Sequence, residues 1–174
     1  MKQPSTYYHA KKSKAKIQVH QGGTRSGKTY SLCQVLIELC FKNKDAGIVI
    51  TIVRKTFPAL RASVMRDFFD VLTKGGNYSE EHHNKSQATY TLFGNLVEFI
   101  SADQPQKLRG RKRTLLYICE CNELSLEDFR QLILRTTDRV FLCYNPSDQY
   151  HWIYEHVLPR EDVDFFQTTY LDNP

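Results

Sequence analysis

The sequence predicts an α/β fold in which a mostly parallel central sheet is flanked by helices. Apolar runs and longer amphipathic segments alternate along the chain, as strands and helices do in such a sheet. The runs 48–53, 115–119 and 140–144 are apolar without alternation, which is typical of strands buried on both faces. A glycine-rich segment at 22–29 joins a predicted strand to a predicted helix and marks the first strand–loop–helix unit.

The first elements follow a polar beginning. Residues 1–14 are rich in lysine, and we expect them to form a mobile or loosely attached basic arm. A strand is predicted at 16–21. From Tyr30 to Phe41 the apolar residues leave almost no polar face, which indicates a helix covered on most sides. We expect residues 15–174 to form a single domain.

The middle of the chain predicts a helix and then a hairpin. Apolar residues recur every four positions in 56–75, so we expect a helix there. Alternating strands at 89–93 and 96–100, joined by Gly94-Asn95, predict a β-hairpin insertion at a sheet edge. The remaining predicted elements are, in order, a strand at 115–119, a helix at 125–134, a strand at 140–144, a short helix at 150–158 and a strand at 165–170.

The composition limits the classes of protein to consider. With 41% hydrophobic and 25% charged residues, the 174-residue chain can bury one substantial core. It has neither an apolar stretch long enough to cross a bilayer nor a signal peptide, so we expect an intracellular protein without membrane contacts. The five cysteines lie in apolar segments, which indicates reduced core thiols rather than a metal–thiolate site. A net charge of +5 is compatible with a polyanionic partner.

The glycine-rich segment is typical of a phosphate-binding loop. Its residues match the pattern G-x-x-x-x-G-K-T: Gly22, Gly23, Thr24, Arg25, Ser26, Gly27, Lys28 and Thr29. Such a loop turns backbone N–H groups around a triphosphate, and the helix that follows adds further donors and a positive dipole end. Lys28 is expected to reach the β- and γ-phosphates, and the Thr29 hydroxyl is expected to ligate Mg²⁺. The alternative is a glycine-rich turn with an exposed lysine.

A catalytic acid is predicted at the end of the 115–119 strand. Residues 115–120 resemble the Walker B motif, with Glu120 as its final acid. Cys119 occupies the position where an aspartate usually holds Mg²⁺, and a thiol is a poor ligand for this hard cation. Glu120 is therefore the candidate catalytic carboxylate, and Thr29 and Glu120 are the candidate metal-binding groups. Glu123 is a second candidate acid, and the alternative for Glu120 is that it only begins a loop.

Charge building up on the γ-phosphoryl group calls for an arginine, whose planar guanidinium stays ionised. Arg25 lies inside the loop and is a candidate arginine finger in cis. Arg109 precedes a glycine just before the acid-bearing strand and is a candidate finger across a subunit boundary. Arg54, at the end of the second strand, is a weaker candidate. For Arg25 and Arg109 a solvent-facing or structural role stays open.

Asn145 follows the strand at 140–144, which we expect to lie beside the first strand. There its amide can sense the γ-phosphate or the attacking water, and the alternative is a plain turn with Pro146. Gln18 and Gln21 are candidates for contact with the nucleotide base. For both glutamines a structural role at the strand is the alternative.

Several segments together resemble the ATPase domain of phage large terminase subunits. They cover the chain from about residue 17 to its end: the loop 22–29; 53–56 with 60–63; 101–103 running to 108–110; 119–124; 144–146 followed by His151-Trp152; and 168–174. The resemblance implies a P-loop NTPase fold of the additional-strand (ASCE) type, with ATP and Mg²⁺ as the nucleotide and metal. It also implies that Asn145 belongs to the motif that couples hydrolysis to movement.

The partners that the resemblance implies are those of a viral DNA-packaging motor. They are double-stranded DNA, the portal protein and procapsid, the small terminase subunit and further copies of the chain in a ring, usually a pentamer. The alternative for the isolated chain is a monomer. The expected location is the host cell cytoplasm and, transiently, the portal vertex. No acidic cluster for a two-metal nuclease site is evident, so we expect an ATPase domain without nuclease activity.

Two other function classes stay open. A helicase- or recombinase-like ATPase would act on other nucleic acid, and it predicts hydrolysis that single strands stimulate without a procapsid. Tyr7 and Tyr8 are the aromatic residues on which such a protein would stack bases. A small-molecule kinase would use the same loop for phosphoryl transfer. It predicts transfer of the γ-phosphate to a metabolite rather than to water.

Overall fold

The computed structural model describes residues 3–110, 112–146 and 151–172. The helices are α1 Ser5–Lys12, α2 Lys28–Lys42, α3 Phe57–Leu60, α4 Arg66–Lys74, α5 Pro105–Leu108 and α6 Leu126–Ile133. The strands are β1 Ile17–Gly22, β2 Val49–Arg54, β3 His83–Asn84, β4 Thr89–Leu92, β5 Asn95–Ser101, β6 Arg113–Cys119, β7 Thr136–Tyr144 and β8 Val163–Thr168. Single turns of π-helix lie at Arg61–Met65 and Ile153–Val157, and short 3₁₀ turns at Glu80–His82, Cys121–Glu123 and Tyr170–Asp172.

The strands form one sheet in the order β3-β4-β5-β2-β6-β7-β1-β8. The strands from β5 to β8 in this order are parallel, whereas β4 runs antiparallel to both of its neighbours, β5 and the edge strand β3. The predicted fold class and the hairpin, now β4 and β5, are therefore confirmed. The turn is Phe93-Gly94 rather than Gly94-Asn95, and β5 lies inside the sheet beside β2, so only the first hairpin strand lies toward the edge. β7 lies between β1 and β6, so the predicted pairing of the 140–144 strand with the first strand is also confirmed.

Two apolar clusters cover the two faces of the sheet. One packs α1, α2, α3 and α4 against alternate residues of the central strands, including Ile50, Tyr117 and Phe141. The other packs α6 and the 153–157 turn against the intervening residues, including Val19 and Leu142. The central strands are buried on both faces, which explains their apolar runs without alternation.

All five cysteines are buried and unpaired, as expected for core thiols. Burial raises the pKa of the Cys40 thiol to about 12, which keeps this side chain neutral and apolar in character. In the part of the chain that the structure describes, no helix has the length and apolar character needed to cross a membrane.

The expectation of a mobile N-terminal arm is wrong for residues 5–12, which form α1. Thr6 and Ala10 are fully buried, and α1 packs against α2 and β8. The Tyr7 hydroxyl donates to a Glu38 carboxylate oxygen, and the Lys11 ammonium lies 2.8 Å from the same carboxylate. Small residues on the inner face bring α1 close to α2, while its lysines stay at the surface. A lysine-rich composition therefore concealed a short amphipathic helix.

The helix expected at 56–75 is interrupted in the structure. It consists of α3, the π-helical turn at 61–65 and α4. The Ser63 hydroxyl donates to the Ala59 carbonyl at 2.7 Å, and the Arg54 guanidinium donates to the same oxygen at 3.3 Å. These donors compete for a helix carbonyl, which favours a local change of helix type.

The C-terminal elements differ from the prediction mainly in their bounds. The helix predicted at 125–134 begins at Leu126, and Ser125 caps it in a capping box with Asp128. The helix predicted at 150–158 is a π-helical turn at 153–157, and the last strand is shifted to 163–168. Tyr150 of the predicted helix, and Asn173 and Pro174 of the segment 168–174, lie outside the described residues.

Candidate nucleotide-binding site

The loop between β1 and α2 needs glycine at two positions. A Cβ atom on Gly22 would lie 2.6 Å from the carbonyl oxygen of Thr168 at the end of β8. Gly27, which caps α2, has a φ of +74°, in the left-handed region that favours glycine. The two glycines let the loop close in front of the α2 N-terminus. Free N–H groups at such a helix end, together with its positive dipole, favour phosphate.

Lys28 is the centre of the loop's hydrogen bonds. Its side chain is only 6% exposed, and burial lowers the pKa of the ammonium, an effect that Cys143 and Glu120 oppose. Its Nζ lies within hydrogen-bond distance of four oxygens: Gly22 O at 2.6 Å, Gly23 O at 3.0 Å, Ser26 Oγ at 3.0 Å and Asn145 Oδ1 at 3.1 Å. The lysine is therefore held inside the loop rather than exposed on a turn.

Glu120 begins the connection after β6 in a strained conformation. Its φ of 51° and ψ of 55° lie in the left-handed region, which is unusual for a residue with a Cβ atom. Its Oε2 accepts a hydrogen bond from the Asn145 backbone N–H at 3.3 Å. Since Asn145 also accepts from Lys28, the amide residue at the end of β7 links the loop to the acid. β7 separates the Glu120 strand from β1, yet the carboxylate lies in the same cavity as the loop.

A cavity of about 360 Å³ lies over the loop. Residues 23–30 line it, together with Glu120 and Asn145 after the strands β6 and β7 and with Arg66 and Asp67 of α4. The Arg66 guanidinium lies 2.9 Å from the Asp67 carboxylate. Sequence reasoning missed both residues, because the π-helical turn that precedes α4 decides which residues of that helix face the loop. In the sequence, the only indication of their role is that two oppositely charged residues stand side by side at 66 and 67.

A second cavity of about 430 Å³ lies at the amino ends of the strands, between α1, α2 and β7. Lys14, Lys42 and Arg139 contribute to its walls. It lies away from the glycine loop and the acid strand. Chemistry rather than volume therefore identifies the smaller cavity as the candidate site.

The position of the expected Walker B aspartate is filled by a neutral thiol. Cys119 Sγ lies 3.9 Å from Thr29 Oγ1, next to the expected Mg²⁺ position. A hydrogen bond with Cys143, together with burial, raises the pKa of the Cys119 thiol well above its usual value. Among the described residues, no three His, Cys, Asp or Glu side chains are grouped to hold a metal. Thr29 and Glu120 both line the cavity over the loop and carry the oxygen donors that Mg²⁺ prefers.

The other charged candidates lie in different surroundings. Arg54 donates to the Glu123 carboxylate at 3.2 and 3.3 Å and to Ser63 Oγ at 2.6 Å. Its guanidinium thus pairs with the second candidate acid, and neither residue is among the described residues that line the cavity. Arg25, with a φ of 66°, and Arg109, just after α5, are both exposed. Of the two, only Arg25 is among the described residues that line the cavity.

The two glutamines have structural partners. Gln18 Nε2 donates to the Ala10 carbonyl at 3.4 Å and to the Ser13 carbonyl at 3.3 Å, and thus ties α1 to β1. Gln21 Oε1 accepts the hydroxyls of Tyr144 at 2.6 Å and Tyr154 at 3.1 Å. These contacts support the structural alternative rather than contact with a base.

Comparison with known proteins gives matches over most of the chain. The family model described as "Phage terminase large subunit" matches residues 14–174. The PBSX phage terminase large subunit of Bacillus subtilis (strain 168) is 27% identical over 148 residues, which cover 80% of this chain and 33% of that protein. The chain thus spans about a third of the length of this relative.

Solved structures share the fold at low identity. The large terminase of a thermophilic bacteriophage, in crystal form 2, has a TM-score of 0.86 at 16% identity, over 99% of this chain and 47% of that one. The complex of the same terminase with ADP has a TM-score of 0.82 at 18% identity, with coverage of 99% and 46%. The Thermus phage P74-26 large terminase ATPase domain has a TM-score of 0.72 at 16% identity, with coverage of 95% and 80%.

These likenesses agree with the sheet order, in which β7 is the additional strand between the loop strand and the acid strand. The P-loop NTPase fold of the additional-strand type is thereby confirmed. The family match covers nearly the whole chain, and the chain belongs to the phage terminase large subunit family.

Proposed function

We propose that this chain is the ATPase domain of a phage DNA-packaging motor, which hydrolyses ATP to drive double-stranded DNA into a procapsid. One observation carries the proposal: Lys28 Nζ contacts Asn145 Oδ1 at 3.1 Å, and the Asn145 N–H contacts Glu120 Oε2 at 3.3 Å. The loop lysine, the amide and the acid thus meet in one cavity, as the hydrolysis of a γ-phosphate requires. The terminase of the thermophilic bacteriophage was solved with ADP, which supports a nucleotide as the ligand.

In the proposed reaction, Glu120 orients a water molecule toward the γ-phosphorus and takes its proton. The new P–O bond forms as the bond to the β,γ-bridging oxygen breaks, which gives ADP and inorganic phosphate. Lys28 and the loop N–H groups balance the charge on the transferred group. Thr29 and Glu120 would hold Mg²⁺ together with phosphate oxygens, and a bound Mg²⁺ neutralises charge on the β- and γ-phosphates.

Both arginines are exposed, and the roles proposed for them differ because only Arg25 lines the cavity. Arg25 is placed in the cavity wall and would act within its own subunit. Arg109 lies on the surface after α5, where it is available to the site of a neighbouring subunit. This arrangement favours a ring of chains at the portal, with the small terminase subunit as a further partner. The activity would then take place in the host cytoplasm and, transiently, at the portal vertex.

The test compares wild-type protein with Lys28→Ala in two assays, ATP hydrolysis and the packaging of double-stranded DNA into procapsids. We expect the variant to lose both, because its loop can no longer balance phosphate charge. Lys42→Ala, at the exposed end of α2, is the matched control and should keep both. Stimulation by single-stranded DNA without procapsids would favour a helicase-like enzyme instead. Transfer of the γ-phosphate to a metabolite would favour a kinase.

A further inference from the structure

A buried polar cluster lies directly behind the phosphate loop. Gln21, the residue before Gly22, uses its side-chain carbonyl oxygen to accept two tyrosine hydroxyls. Tyr144 donates at 2.6 Å and Tyr154 at 3.1 Å, and their rings meet edge to face with centroids 6.3 Å apart. Gln21 is 9% exposed and Tyr144 is 2% exposed, so water has little access to the bond between them, whereas Tyr154 is half-buried.

The three residues come from three separate elements. Gln21 is the next-to-last residue of β1, just before the loop, and Tyr144 ends β7 beside Asn145. The parallel pairing of β1 and β7 sets Gln21 directly opposite Tyr144. Tyr154 belongs to the π-helical turn at 153–157. The side-chain amide of Gln21 therefore connects the start of the loop, the residue beside Asn145 and the turn at 153–157.

The segment 151–157 is also bound to the connection that follows Glu120. His151 Nε2 donates to the Asn122 carbonyl at 2.8 Å, and Trp152 Nε1 donates to the Leu124 carbonyl at 2.8 Å. The Trp152 ring stacks on Phe129 of α6, with centroids 4.9 Å apart. This segment thus has hydrogen bonds to the loop strand through Gln21 and to the acid connection through residues 122 and 124.

We propose that Gln21 is a positioning residue that ties the phosphate loop to the segment 151–157, so that a change at the loop is passed to Trp152 and the Glu120 connection. The proposal rests on the proposed function, because it takes a nucleotide in the loop as the source of the change. A buried hydroxyl without a partner is costly, so Gln21, Tyr144 and Tyr154 tend to move together. Single π-helical turns occur frequently at functional sites, which suits the turn at 153–157 for such a role.

The chain carries its own reporter, since Trp152 is its one tryptophan. The experiment titrates each protein with ATPγS and Mg²⁺ while recording Trp152 fluorescence. It also measures the dissociation constant by calorimetry and kcat for ATP. Tyr154→Phe removes one hydroxyl and keeps the ring, while Gln21→Leu removes the shared acceptor. Tyr78→Phe is the matched control, since its hydroxyl bonds Glu80 at 2.6 Å and lies near the β-hairpin.

We expect both test variants to bind ATPγS within about threefold of wild type, because neither touches the phosphates. The nucleotide-induced fluorescence change should fall by at least half, and kcat by about tenfold, the effect of misplacing a catalytic group slightly. The Tyr78→Phe variant should behave as wild type. A network that only fills the core would lower stability and leave the fluorescence change and kcat intact.

Two outcomes would overturn the inference and can be told apart. If wild type binds ATPγS but the variants keep its fluorescence change and kcat, the positioning role is wrong and the proposed function stands. If wild type binds no nucleotide in calorimetry, the proposed function fails, and the inference fails with it. Should Gln21→Leu not fold, Tyr154→Phe decides the question, because it keeps the bond between Tyr144 and Gln21.

Discussion

The backbone of Glu120 is unusual for its residue type. A left-handed conformation costs a residue with a Cβ atom about 1–2 kcal/mol, and here it occurs at the end of the strand that carries the acid. The turn brings the carboxylate to the Asn145 N–H and into the cavity. Local strain of this kind tends to gather at functional sites, where the surrounding structure maintains it. The sequence pattern placed an acid after β6, but it contained no sign of this turn.

Replacing the Glu120 carboxylate by an amide should impair ATP hydrolysis while leaving nucleotide binding largely unchanged. In Glu120→Gln the amide still accepts from Asn145, but it no longer takes a proton from water. We expect ATPγS to bind within about threefold of wild type, while kcat for ATP falls by about a hundredfold or more, the usual contribution of a general base. Glu127→Gln, whose carboxylate accepts from Gln131 at 2.7 Å on the surface of α6, is the control. Equal turnover in Glu120→Gln would refute the catalytic role.

Alanine substitutions of the two loop glycines, Gly22 and Gly23, test how closely β8 packs against the loop backbone. Gly22→Ala places a methyl group 2.6 Å from the Thr168 carbonyl, so β8 or the loop must shift. We expect the free energy of unfolding in urea to drop by about 1–3 kcal/mol, as overpacked sites do. Gly23→Ala is the matched control, because its Cβ would meet nothing within 4 Å, and its stability should change little. Equal stability of the two variants would contradict the close approach of β8.

Among the secondary-structure elements, the sequence predicts best those whose periodicity is strong. The buried strands, the hairpin and the capped helix α6 follow from local patterns of apolar and turn residues. Two features do not. Helix α1 is held by contacts with α2 that are distant in sequence, and the π-helical turn before α4 depends on donors from Arg54 and Ser63. Because that turn orients α4, the approach of Arg66 and Asp67 to the cavity also escaped prediction.

Helix α1 itself can be tested by adding volume at its inner face. Ala10 is fully buried where α1 meets α2, so Ala10→Leu should overpack the contact. We expect the free energy of unfolding to fall by about 1–3 kcal/mol. Lys12→Leu adds the same side chain to an exposed position of the same helix and should change stability by less than about 0.5 kcal/mol. If the two variants had the same free energy of unfolding, the result would support a loosely attached N-terminal arm instead.

For the whole molecule, the strand order explains why distant segments form one site. The carboxyl ends of β1, β7 and β6 lie side by side, and they deliver the loop, Asn145 and Glu120 in that order. Parallel connectivity made this convergence predictable from sequence. A residue that a second subunit would contribute to the site was harder to predict from the sequence. Arg109 stands outside the cavity lining among the described residues, so its proposed role depends on a second copy of the chain.

That dependence predicts complementation between defective subunits. In a head-to-tail ring, an Arg109→Ala subunit keeps its own Glu120 and needs only an arginine from its neighbour. A Glu120→Gln subunit supplies that arginine. We expect an equimolar mixture on procapsids to recover about a quarter of the wild-type ATPase rate, since random order gives productive neighbours at about that frequency. The measurement is ATP turnover at fixed total protein, compared with the sum of the two separate variants.

The matched mixture replaces Arg109→Ala by Arg25→Ala. Arg25 lies in the wall of its own cavity, so each subunit of an Arg25→Ala and Glu120→Gln mixture carries a defect that no neighbour can repair. This mixture should show no more than the sum of its parts. If activity recovered in the Arg25 mixture but not in the Arg109 mixture, Arg25 would be the arginine that acts across the subunit boundary, and Arg109 would act within its own subunit. If neither mixture recovers activity, Arg109 does not act across the subunit boundary, because a heterologous contact presents the same arginine to every site in the ring.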